Sequence, residues 1–112
     1  MKIQDDLTKY ISSALNNALP EKTKIKTRFH LLDAIVSILT GRLLPPGQKG
    51  FNFSKNQGGL EEATLLGNNI KVSAINAAFS NGMAAHANET DDSHTKGRFH
   101  PGCAIIATTL AI

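Results

Sequence analysis

A chain of 112 residues with a formal net charge of +3 suits one small domain. Its 41% hydrophobic content is enough for a core, and no run is apolar long enough to cross a bilayer, so no membrane partner is expected. Five per cent aromatics and no recognisable motif argue against nucleic acid, and Lys22, Lys24, Lys26 and Arg28 read as a solvated helix start. The opening residues, MKIQDDLTKY, lack the apolar segment of a secretory leader. Cys103 stands alone, which excludes an intrachain disulfide and points to a reducing, cytoplasmic setting.

The spacing predicts a first helix over residues 3–19, with Leu7, Tyr10, Ile11, Ala14 and Leu15 on one stripe and Asp5 and Asp6 in its first turn. A second helix is expected over residues 21–40, its core face formed by Ile25, Phe29, Leu32, Ile35, Val36 and Leu39, with Gly41 as its stop. His30 and Asp33 lie beside that face. Asp33 is expected to be buried and bonded to a neighbouring helix end, a structural role, because a buried carboxylate needs a partner. Pro45-Pro46-Gly47 should break the chain before a short helix over residues 48–56, and Gly58-Gly59 marks a turn. The glycines do not follow a phosphate-loop spacing. Residues 63–72, turning at Asn68-Asn69, predict a small hairpin. Ser73 then caps a helix over residues 74–87 built from small side chains, which is expected to be buried. Pro101 opens a last helix through Cys103, Ile105, Ile106, Thr109 and Leu110, still apolar at Ile112.

Residues 81–101, NGMAAHANETDDSHTKGRFHP, concentrate the chemistry. They hold His86, Glu89, Asp91, Asp92, His94 and His100, with Ser93, Lys96 and Arg98 between them. On composition alone such a loop is a solvated connection, and Lys96 and Arg98 read equally well as surface cations. Its position between two apolar helices favours a site carried on a rigid scaffold. His86 and Glu89 are three residues apart, on one helix face, and the loop is rich in metal-ligand types. No standard zinc or calcium spacing is met, so a metal-binding loop enzyme is the weaker reading. Cys103 reads as a buried structural cysteine in preference to a nucleophile.

The order His86, Glu89, Asp91-Asp92-Ser93-His94, His100-Pro101-Gly102 resembles the signature of the MmgE/PrpD family, which includes 2-methylcitrate dehydratase, cis-aconitate decarboxylase and iminodisuccinate epimerase. His30-Leu31-Leu32-Asp33 and the string from Gly59 to Gly67 are similar to further family segments. The resemblance implies a mainly α fold, the N-terminal portion of the family's all-helical domain with a small hairpin, here truncated over residues 1–112 and without the lid domain. It implies a lyase or epimerase fragment acting on small di- and tricarboxylates by acid/base chemistry, with no cofactor and no metal, and a homodimer in full-length form. Glu89, Asp91 and His100 fall on catalytic positions, and Ser93, His94, Lys96 and Arg98 on substrate-binding ones. Asp92 and His86 are expected to be structural, Asp92 through backbone hydrogen bonds in the loop. The chain alone is expected to be a poor catalyst. A non-catalytic remnant or helical interaction module is the alternative from another class, because unpaired apolar faces seek partners.

Overall fold

The computed structural model describes residues 2–112. The described residues form, in order, α1 (Lys2–Ala14), α2 (Glu21–Gly41), α3 (Pro45–Gln57), β1 (Ala63–Leu65), β2 (Ile70–Val72), α4 (Ala74–His86) and α5 (Pro101–Thr109). The fold is mainly α with one antiparallel hairpin, in the register Ala63–Val72, Thr64–Lys71 and Leu65–Ile70.

The small-residue helix α4 is the centre, and α2, α3 and α5 all pack against it. Its N-terminus is fixed by Ser73, whose Oγ accepts from the Asn76 amide at 3.4 Å. Ala77, Ser80, Asn81, Ala84 and Ala85 are its buried residues. Short side chains there let neighbouring backbones come close. A Cβ at position 41 would overlap the Ala84 carbonyl oxygen, so glycine is required where α2 crosses α4. Two apolar clusters result: Ala63, Leu65, Val72, Ala77 and Ala111 beside the hairpin, and Ile38, Ala84 and Ala85 between α2 and α4.

The buried amide of Asn81 joins α4 to the hairpin. Its Oδ1 accepts from Leu66 N at 3.0 Å and its Nδ2 donates to the Thr64 carbonyl at 3.1 Å. These two bonds give partners to backbone groups of β1 and of the residue that follows it.

Four expectations need correction. The first helix ends at Ala14, not near residue 19, and none of its residues is buried. Its stripe of Leu7, Tyr10 and Ile11 is exposed, because none of the described elements lies over it. On α2 the large apolar residues Ile25, Phe29, Leu32, Val36 and Leu39 are exposed, and Ile35 is half-buried. The face that packs is Ala34, Ser37, Ile38 and Gly41. Close helix crossing selects the small face, since bulky residues would hold the axes apart. Asp33 therefore lies on the exposed side, and no hydrogen bond or ion pair to its carboxylate is found among the described residues. Pro45 and Pro46 start α3 and do not interrupt the chain before it, since the first turn needs no proline N–H.

Candidate functional site

The site begins where α4 ends. After His86 the chain reverses at Glu89, whose φ of 56° is the left-handed conformation. This turn brings the Glu89 carboxylate back over the helix end, with Oε1 3.4 Å from His86 Nε2. Asn88 anchors the turn by donating to Thr40 Oγ1 of α2 at 3.1 Å, while its Oδ1 accepts from Thr90 Oγ1 at 2.7 Å.

Adjacent aspartates then take opposite directions. The Asp91 side chain is only 1% exposed, with Oδ1 3.3 Å from His86 Nδ1 and 3.3 Å from His100 Nδ1. The contact to His86 has hydrogen-bond alignment, whereas that to His100 is close without it. The two imidazoles face each other with centroids 4.8 Å apart. Asp92 turns the other way. Its Oδ1 accepts from Gly102 N at 2.7 Å, capping the start of α5, and its Oδ2 lies 3.5 Å from His30 Nδ1 on α2. A carboxylate at this helix end also meets the positive end of the helix dipole.

The intervening loop is closed on itself. His94 N donates to the Phe99 carbonyl at 2.9 Å, Arg98 N to the His94 carbonyl at 2.8 Å, and Gly97 N to His94 Nδ1 at 2.9 Å. The His94 ring leans on Phe99, with centroids 5.2 Å apart. This loop returns the chain to His100, extended before Pro101, where α5 begins.

The structure thus brings together His86, Glu89, Asp91 and His100 from three local segments. Asp92 borders this group but points toward His30 and α5. Ser93, His94, Lys96 and Arg98 are exposed along the loop, and among the described residues no hydrogen bond or ion pair joins their side chains to the cluster. Asp33 lies outside it, on the wall of an open groove of about 540 Å³ that also includes Phe29, His30, Val36 and Asp92. A second groove, about 420 Å³, runs between α4 and α5 and is bordered by Phe79, Met83, His86 and Cys103.

Cys103 Sγ donates to the His100 carbonyl at 3.1 Å. Burial, and after it the negative charge of Asp91, push the thiol pKa up. A thiol held protonated in this way is a poor nucleophile. Two sets of ligand atoms in the cluster lie within 4.8 Å of one another: His86, Glu89 and His100, and His86, Asp91 and Cys103.

Sequence reasoning passed over His30 as a site residue. The only signal was the His-Leu-Leu-Asp segment, in which the aspartate drew the attention while the histidine reaches Asp92. The different fates of Asp91 and Asp92 had no sequence signal, since the residues are identical and adjacent.

Neither the curated proteins nor the solved structures include a match to this chain. Comparison with family profiles matches residues 5–112 to the MmgE/PrpD N-terminal domain. That match spans nearly the whole chain and includes both the central helix and the acid- and histidine-bearing loop: the chain belongs to the MmgE/PrpD family, as its N-terminal domain.

Proposed function

We propose that the His86–Asp91–His100 cluster is the proton-transfer centre of a carboxylic-acid lyase or epimerase acting on small di- or tricarboxylates. The observation that carries this reading is the buried Asp91 carboxylate, with one oxygen 3.3 Å from a ring nitrogen of each histidine. At His86, where the contact has hydrogen-bond alignment, a carboxylate accepting at Nδ1 fixes the tautomer in which Nε2 is the free base. It also stabilises the imidazolium once a proton has been taken. Asp91 is thus a positioning residue, since its buried side chain cannot touch substrate. His100 and Glu89 are the catalytic residues, moving a proton to or from the carbon beside a substrate carboxylate. Dehydration, as in a 2-methylcitrate dehydratase, decarboxylation and epimerisation all share such a step. Ser93, His94, Lys96 and Arg98 are exposed on the loop between Asp92 and His100, which offers a hydroxyl and cations for substrate carboxylates.

The cluster is open: the Glu89 side chain is 70% exposed and that of His86 44%. Water at the reacting carbon weakens every charge interaction there. The 112-residue chain is therefore expected to turn over slowly by itself. A sensitive test is deuterium exchange at the carbon-bound protons of a panel of di- and tricarboxylates in D2O, followed by NMR. Exchange that disappears in Glu89→Gln and His100→Ala supports the proposal. No exchange with any member of the panel favours the second reading, a non-catalytic helical interaction module, to which the exposed Leu7, Tyr10, Phe29 and Leu32 would belong.

A further inference from the structure

The same end of α4 carries a feature that proton transfer does not require. His86 Nε2 and Glu89 Oε1 are 3.4 Å apart. Ligand atoms of a tetrahedral ion with bonds of about 2.0–2.1 Å are separated by about 3.3 Å. A ring nitrogen of His100 completes a three-atom set, all within 4.8 Å of one another. Glu89 is exposed on a flexible side chain, so its carboxylate can adjust to a shared ion.

Behind these three groups lies Asp91, its side chain 1% exposed and its Oδ2 without a hydrogen-bond partner among the described residues. A buried, half-partnered carboxylate is costly unless a cation offsets it. With neutral imidazoles, Glu89 and Asp91 bring two formal negative charges to this cluster. Asp91 Oδ1 also holds His86 Nδ1, leaving Nε2 directed away from the buried carboxylate and toward Glu89. A carboxylate behind a ligating histidine is the usual support of a metal-bound imidazole, fixing its tautomer and orientation.

We propose that this end of α4 binds one divalent ion of the zinc class through His86 Nε2, Glu89 and His100. Asp91 is its outer-shell carboxylate, and water takes the fourth, solvent-facing position. The ion would occupy a nitrogen and a carboxylate assigned above to acid/base work, so zinc would act as a blocker of that centre. This consequence rests on the proposed function, whereas the binding itself does not.

The test is calorimetric titration of the 112-residue chain with Zn2+, with Co2+ absorption as a report of tetrahedral geometry. No turnover is needed, so its failure is separate from that of the acid/base reading. One ion per chain is expected, with intense tetrahedral Co2+ bands. Glu89→Gln, His86→Gln and His100→Gln should each weaken binding at least about ten-fold, and Asp91→Asn by about ten- to a hundred-fold. His30→Gln, on α2 and paired with Asp92, should leave it unchanged. Glu89 is exposed, so its variant remains informative even if Asp91→Asn does not fold. Absence of stoichiometric binding overturns the proposal. So does undiminished binding in Glu89→Gln, or loss in Cys103→Ser, which would place the ion on His86, Asp91 and Cys103.

Discussion

The side chain of Asn81 fills a position that few residues could. It is 3% exposed and satisfies one donor and one acceptor of the hairpin backbone, at Leu66 and Thr64. Asn81→Ala removes both partners together, and two backbone groups near the core then lose their bonds. The expected loss is about 2 kcal/mol, read as a lower urea midpoint with an unchanged slope. A loss below about 0.5 kcal/mol would mean that water takes over both contacts. Cys103 sets a different kind of prediction. Burial first, and the Asp91 charge second, hold its thiol above the ordinary value, so the folded chain keeps this proton to higher pH than the unfolded chain does. The linked stability is fully present below the ordinary thiol pKa and is lost as pH rises toward the folded value. Urea midpoints should therefore fall on the alkaline side, and Cys103→Ser should flatten that limb. An unchanged limb in Cys103→Ser would assign the alkaline loss to other groups.

Helix α4 works because its neighbours come close to its backbone, and the approach of α2 is the tightest. Alanine is about 1 kcal/mol better than glycine inside a helix, so propensity alone makes Gly41→Ala stabilising. The Ala84 carbonyl occupies the space that the new methyl group needs, and backbone cannot swing aside as a flexible side chain can. Overpacking of this sort costs about 1–3 kcal/mol, and the upper end is expected here. Thermal unfolding of Gly41→Ala should show a clear drop in Tm, and a rise would show that the helices separate freely. At the start of α5, Asp92→Ala removes the oxygen that accepts from Gly102 N, and a loss of about 1 kcal/mol is expected for that cap. These elements differ in how legible they are. Ser73 before a run of small residues announced α4, and Asn68-Asn69 between two short extended segments, the second of them Ile70-Lys71-Val72, announced the hairpin. The packing face of α2 was misread because a hydrophobic stripe weighs Phe29, Leu32 and Val36 above Ala34 and Gly41, while a close crossing weighs them the other way. The density of acids and histidines in the loop pointed to the site. Its depth was not legible, because the left-handed turn at Glu89 decides which aspartate goes inside, and glutamate gives no sign of that conformation.

Across the whole molecule, order is distributed unevenly. The residues that hold α2, α3, α4 and α5 together lie between Ala34 and Ala111, and α1 contributes none of them. A helix of 13 residues with no packed face is marginal in water, because nucleation is costly and few hydrogen bonds follow to offset it. The first half of α2 is in the same condition, since burial on that helix starts at Ala34. Native-state hydrogen exchange should resolve this as a gradient. Amides of α4 should exchange only through global unfolding, and those of α1 by local opening at a small fraction of that free energy. The two should also respond differently to Gly41→Ala. That variant lowers global stability, so α4 protection should fall with it, whereas α1 amides, already open, should not change. Equal protection in α1 and α4 would contradict the gradient and require that the exposed stripe of Leu7, Tyr10 and Ile11 be covered in solution. The loop that carries the cluster lies on the protected side of the gradient, tied to the packed end of α2 through Asn88 and Thr40 and to α5 through Asp92. Its histidines and carboxylates therefore keep their geometry while the N-terminal helix opens and closes, and Hε1 signals of His86 and His100 should remain single and sharp under conditions where α1 amides have already exchanged.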